Sequence, residues 1–471
     1  MTTSRLSQKI LLAFTLGLFV SVSARAASLS WDASGTSPSA PTDGAGLWST
    51  SDVNWANSGT ESGWINFSDA VIGNSGAGGT IVISTNVTAN SLLLKSVASA
   101  YTISSTLGSV LTLTTGSITA NSTVTINAVI SGTNGLSKIG GGTLGLGGVS
   151  TYTGTTYILG GSLQNRVVNA LPTATVVAIG LSGSNASATL DVRNNLTVAG
   201  IVAVGSDPTK NLISNTQTTA GTTLTINPDG AGGAAADSTF SGIIKNGDAT
   251  HILSLTKAGS HTLTLTGTNT YTGTTTVTAG TLIINGAISG SSAVTVGSAG
   301  RLGGTGSLGS ISVSGTIGAG DGGIGTLSTN DLTFNSTGAL ENEFGRTGLT
   351  PASDLLSVTG SISLASGANL LLALSGSNPV NGDIFFLVNN DLSDSITGVF
   401  TKLNGTNTTL NQGSIFSFNS QSFQISYAAD LGTSSLSGGN DIAIQVVPEP
   451  AVCALIGLSA MALLWRRRRA P

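Results

Sequence analysis

One cysteine in 471 residues, Cys453, closes off two kinds of chemistry at once. No internal disulfide can form and no thiolate metal site is available, so order must come from packing and backbone pairing. Charge is equally sparse, at 8% of residues. Of the 17 Lys and Arg, three (Arg5, Lys9, Arg25) sit near the start and four (Arg466 to Arg469) near the end, which leaves ten in the body against 20 of the 21 acids once Glu449 is set aside. That body is acidic, near -10, and its ten cations are scattered, which argues against nucleic acid or an anionic lipid surface as partner. Two histidines, His251 and His261, are too few and too far from any nucleophile pattern to build a triad. A sustained helical period is also missing from the body.

Alternation takes its place. Val, Ile and Leu alternate with Thr and Ser in Leu111-Thr112-Leu113-Thr114, Val124-Thr125-Ile126, Leu263-Thr264-Leu265-Thr266 and Ile311-Ser312-Val313, and Ile81-Val82-Ile83 is a further short run of β-formers. A period of two in such residues predicts short strands with one buried face. The 65 glycines, with Asn and Ser, punctuate these runs and read as turns.

Leu136 to Leu163 aligns without a gap on Leu255 to Leu282, 119 positions later (255 less 136), with about half of the positions identical. The sharpest match sets Thr151-Tyr152-Thr153-Gly154-Thr155-Thr156 on Thr270-Tyr271-Thr272-Gly273-Thr274-Thr275. Leu144, Leu146, Ile158 and Leu163, with Leu263, Leu265, Val277 and Leu282, are expected to point inward. Tyr152 and Tyr271 are expected at a corner, each beside a glycine free to take a positive φ. Short inward-facing strands and corners repeated over hundreds of residues predict an all-β, elongated β-solenoid, a parallel β-helix with N- and C-terminal caps. These blocks resemble the autotransporter-associated β-strand repeat, in the form Gly-x-x-Thr-Leu-x-Leu-x-Gly, Tyr-Thr-Gly-Thr-Thr, Gly-[Ser/Thr]-Leu. The run from Ala293 through Leu302-Gly303-Gly304-Thr305-Gly306 to Gly325-Thr326-Leu327 is similar to the winding-down coils that follow such repeats. Autotransporter passengers end in an outer-membrane barrel, whereas this sequence ends in arginines, so another route across any outer membrane is expected.

The two ends read as addresses. Arg5 and Lys9 precede an apolar stretch from Ile10 to Val22, and Ala24-Arg25-Ala26 offers the small residues that a signal peptidase needs, with cleavage expected near Ala26 or Ala27. Val447-Pro448-Glu449-Pro450 precedes an apolar run, Ala451 to Trp465, and then Arg466, Arg467, Arg468 and Arg469. Such a run predicts a single C-terminal transmembrane helix, marginal at about 22 Å against a hydrocarbon core of roughly 30 Å, with the arginines left inside. The arrangement resembles the PEP-CTERM sorting signal of bacterial exported proteins, also known under an ice-binding-protein C-terminal label. The resemblance implies a membrane-embedded, exosortase-like sorting protease, processing near Pro448 to Pro450, and release or transfer to the cell surface; a plain tail anchor is the alternative. The expected organisation is a signal peptide (1–26), a Trp-rich N-terminal β cap with the first coils (27–100), the solenoid (101–330), the last coils with a C-terminal β cap (331–446), and the sorting signal (447–471) with its helix at 451–465.

Candidate acids for polysaccharide chemistry are Glu341 with Glu343, Asp391 with Asp394, and Asp237 with Asp248, yet no base or cation gathers beside them. His261 stands at the repeat position of Gly142, a turn. In Gly303-Gly304-Thr305-Gly306, Leu308 occupies the aspartate position of a calcium roll, and the phosphate-loop Lys is absent. Trp31, Trp48, Trp55 and Trp64 read as an aromatic plug for the first coil, with sugar stacking as the alternative. No catalytic residue, cofactor or metal site is expected. The expected work is structural or adhesive, at the cell surface or in an extracellular matrix, with extracellular polysaccharide as a partner. A secreted polysaccharide-acting enzyme and an ice- or mineral-binding surface are the rivals.

Overall fold

The computed structural model describes residues 26–448 apart from 107, 217–220, 228, 230–235 and 392–393. Successive coils stack in parallel register. Val124–Ile126 lies between Tyr101–Ser105 and Thr143–Leu146, and Leu136–Ile139 lies between Val110–Ala120 and Thr156–Ile158. Continued along the chain, this pairing builds sheets of 11, 9 and 17 strands. Each strand sends alternate residues inward: in Val110–Ala120, Leu111, Leu113, Ile118 and Ala120 are buried. One continuous apolar core runs from Leu29 to Val446. Each Val, Leu or Ile removed from water contributes about 1.5–3 kcal/mol against the entropy of ordering its strand. The eight inward residues expected in the two repeats are all buried.

Coils this tight need backbone contact at corners. Gly161 and Gly280, equivalent in the two repeats, take φ of 64° and 66°, and a Cβ on either would stand 2.3 Å from a carbonyl oxygen of the preceding coil. Only glycine fits such a position without strain.

The ends depart from parallel winding. Ser28–Trp31 pairs antiparallel with Trp55–Asn57, which turns back on Thr60–Ser62. Trp31, Trp48, Trp55 and Trp64 pack there with ring centroids 4.7–5.3 Å apart, all buried, so their faces are spent on one another. At the other end Ile384–Asn390, Asp441–Val447, Gln421–Ala429 and Ile415–Phe418 pair antiparallel in that order. Phe344 packs there against Phe385 and Phe423 at 5.0 and 5.5 Å. Both ends thereby cover the open core of the stack.

The expectation of a C-terminal transmembrane helix is corrected. Among the described residues no helix is long and apolar enough to cross a membrane, and their helical element is a 3-10 turn, Pro208–Lys210. The physical reason is that apolar residues in the described chain are distributed over many short strands that line a core, in runs too short to make a spanning helix. The run 451–465, with Glu449, Pro450 and Arg466 to Arg469, lies outside the described residues, as do Ala24 and most of the expected signal peptide. Ala26 is half-buried and Ala27 exposed just before the first strand; Val447 closes the last strand and Pro448 is exposed beyond it.

Candidate functional site

The duplicated segments form the same corner twice. Tyr152 and Tyr271 are buried, and each phenol lies 2.6 or 2.7 Å from the hydroxyl of Thr156 or Thr275. The chain of hydroxyls continues to Thr175 at 2.9 Å in the first repeat and to Ser292 at 3.3 Å in the second. It ends on a carbonyl, where Thr175 donates to Gly154 O and Ser292 to Gly273 O. Burial pushes both phenols well above the usual tyrosine range. Gly154 has the positive φ expected beside the tyrosine, 101°, but Gly273 does not. The second corner needs its glycine for room instead, since a Cβ there would meet Leu253 O at 2.3 Å.

Each repeat also encloses a lysine, which sequence reasoning missed. Lys138 and Lys257 are 0% exposed. Lys138 Nζ donates to the carbonyls of Ile139, Gly140 and Gly160 at 3.1, 2.7 and 2.9 Å. Lys257 Nζ donates to Ala258, Gly259 and Ala279 at 2.7, 2.8 and 3.3 Å, the equivalent three oxygens. Burial draws both amines down to about 8. Three donors meet three acceptors spanning two coils, so each ammonium ties one rung to the next and is closed to substrate. The signal was present in the sequence: Leu136-Ser137-Lys138 and Leu255-Thr256-Lys257 place the lysine in phase with inward leucines.

On the outside the long sheet carries a column of hydroxyls. Thr197, Thr225, Thr256, Thr276, Thr295, Ser312, Thr333, Ser363 and Thr397 pair in direct register, one per strand. All nine face away from the core, half-buried or exposed. With strands about 4.8 Å apart, eight steps make a straight row of roughly 38 Å.

The expected acid pairs do not assemble a reaction centre. Glu341 and Glu343 share the outer side of Ala339–Thr347, but Glu341 is taken by Arg301 at 2.7 Å. Asp248 and Asp237 sit on different turns, each beside its own histidine, His251 at 2.6 Å and His261 at 3.5 Å. Asp391 lies beside Asp394, and desolvation followed by that neighbouring carboxylate raises its pKa. Among the described residues no group of three or more His, Cys, Asp or Glu could hold a metal ion. A buried carboxyl that the sequence did not flag, Asp354, is pushed up to about 6 by burial while accepting from Gly325 and Glu343 backbone N–H groups at 2.9 Å.

Two of the ten body cations come together. Arg166 and Arg193 both reach the side-chain oxygen of Gln164, at 2.9 and 3.2 Å from Arg166 and 3.2 Å from Arg193. Gln164 in turn donates to the buried Asp191 at 2.9 Å. Nothing in the local sequence announces this cluster, because it depends on the length of the intervening coil.

Residues 136–164 and 255–284 match the model of the passenger-associated-transport-repeat. No curated protein matches the chain. The two matched stretches are the two corners with their caged lysines, so the chain is similar, at those coils, to the autotransporter-associated repeats of surface proteins.

Proposed function

We propose that this chain is an exported cell-surface or extracellular-matrix solenoid that works by contact, not by catalysis. The observation that carries the reading is the nine-rung hydroxyl column on the coils that include the second repeat. A straight row of evenly spaced donors and acceptors suits an extended, hydroxyl-rich partner such as a polysaccharide, where many weak hydrogen bonds add through multivalency. The pairing of Glu341 with Arg301, the separation of Asp237 from Asp248 and the enclosed lysines support a non-enzymatic role. Export would begin with signal peptidase acting at Ala24-Arg25-Ala26, before Ala27. It would finish with a membrane-embedded, exosortase-like protease acting on the PEP-CTERM-like Val447-Pro448-Glu449-Pro450.

The test is to purify the exported protein and measure its binding to neutral polysaccharides and to cells of the same kind. The variant T276V/T295V/T333V removes three hydroxyls while keeping β-branched side chains. With each hydrogen bond worth about 0.5–1.5 kcal/mol, binding should weaken by roughly tenfold or more at unchanged circular dichroism. Absence of any polysaccharide or cell binding by the unaltered protein would remove the reading.

A further inference from the structure

The two corners differ in the coil that follows them. Thr156 and Thr175 stand 19 residues apart, whereas their counterparts Thr275 and Ser292 stand 17 apart, so the coil after the first repeat is longer by two. The extra length falls beyond Leu163, where the ungapped match to Leu282 ends. This longer coil turns at Pro172, whose carbonyl accepts from Thr175 N–H at 3.1 Å. Leu171 to Val176 then form one wall of a pocket whose other wall is Val149 to Thr155 of the coil before. Its volume is about 620 Å³, within the range of roughly 300–1,000 Å³ found for small-molecule sites.

The lining has a definite chemistry. Thr151 and Thr153 are exposed, Thr155 and Thr173 half-buried, and none of these four hydroxyls has a partner among the described residues. The hydroxyls of Tyr152, Thr156 and Thr175 behind them are already bonded. Ser150, 4% exposed, also lines the pocket, and its buried hydroxyl is without a partner. The second repeat places Asn269 there, with Nδ2 donating to Gly267 O and Ala287 O and Oδ1 accepting from Ile244 N–H, so that position is closed. Val149, Pro172 and Ala174 add apolar surface. No Asp, Glu, Lys or Arg is among the described lining residues, so an ion entering the pocket would shed water without gaining a counter-charge. Free hydroxyls beside apolar patches suit a ring with neutral hydroxyls at its edge and C–H groups on its face. We propose that this pocket binds one neutral sugar residue, the end unit of a polysaccharide. The inference rests on the surface-contact reading and adds an anchoring point to it, on coils ahead of the hydroxyl column that starts at Thr197.

Titration of the exported protein with glucose, galactose and mannose, followed by NMR, tests the pocket, with glucuronate and galacturonate as the charged counterparts. At least one neutral sugar should bind saturably at one site per chain, and its uronate about tenfold more weakly or not at all. T151V/T153V removes two free hydroxyls that take no part in the bonded chain through Tyr152, and should weaken the binding roughly tenfold. A174F puts a ring into the pocket and should abolish it. Circular dichroism identifies which variants keep the fold, and either one that does decides the outcome. Failure of all three neutral sugars to bind would overturn the pocket, as would binding that the folded variants leave intact or a uronate bound as tightly as its neutral sugar. If the protein still binds a polysaccharide in any of those cases, the surface-contact reading stands without the pocket. No binding to sugar, polysaccharide or cells would overturn both.

Discussion

Lys138 and Lys257 show how a single residue type takes opposite roles by position. An ammonium inside a strand core is costly unless every proton has an acceptor, and here three carbonyls supply the match. Lysine to methionine keeps most of the stem and leaves those carbonyls short of a donor. K138M or K257M should each cost about 1–3 kcal/mol of stability. The two sites lie 119 residues apart in separate coils, so the double variant should lose close to the sum. The pH dependence has a definite sign. Burial lowers each amine to about 8 in the folded protein, while the unfolded value is about 10.4. Between those values the unfolded chain holds more protons, so stability rises with pH across that window. The melting temperature of the unaltered protein, measured relative to K138M/K257M, should therefore increase from pH 8 toward pH 10. A flat or falling difference would mean that the carbonyls hold the proton more firmly than burial expels it. The buried phenols begin to oppose stability only as pH passes the free tyrosine value near 10, and they are common to both proteins.

At the scale of elements, the corner is the unit that repeats, and it is stiff because its polar atoms are spoken for. Removing Thr156 Oγ1 with T156V strands the Tyr152 phenol and interrupts the link to Thr175. About 1–3 kcal/mol should be lost, read as a lower melting temperature, and T275V should do the same in the second corner. G161A should cost more than either, because φ of 64° and a 2.3 Å approach to a carbonyl act together. Much of this unit was legible in the sequence. The inward leucines follow from alternation, the corner tyrosines from the duplicated Tyr-Thr-Gly-Thr-Thr, and the tryptophan plug from four large aromatics at one end. The lysines stood in phase with the inward leucines and were missed, since alternation alone does not say that carbonyls will meet an ammonium. Arg166 with Arg193 was not legible at all. Their adjacency follows from the coil that sets Gln164 against Asp191, and coil length varies along the stack: Leu136 meets Thr156 one coil on, whereas Thr222 meets Leu253. A transmembrane helix was expected from a local apolar run, and the described chain instead spreads its apolar residues over strands.

For the whole molecule, a stack sealed at both ends determines where it tolerates a cut. Asp441–Val447 is not an edge: it lies between Ile384–Asn390 and Gln421–Ala429, with Ile444 facing Phe385 on one side and Ile425 on the other. Val447 itself pairs with Ser422, and Pro448, exposed beyond it, cannot donate a further ladder hydrogen bond. Proteolysis after Val447 therefore removes no strand from the sheet, while proteolysis a few residues earlier opens the phenylalanine cluster around Phe344. A gene truncated after Pro448 should yield a protein with the melting temperature of the longer chain. One truncated after Asn440 should melt lower and expose apolar surface to a hydrophobic dye, because the buried Ile442, Ile444 and Val446 are lost together. Mass spectrometry of the protein recovered from the cell surface should then find its last residue at or shortly after Val447. Recovery of chains that still carry Arg466 to Arg469 would show that the sorting step does not take place, whatever the fold allows.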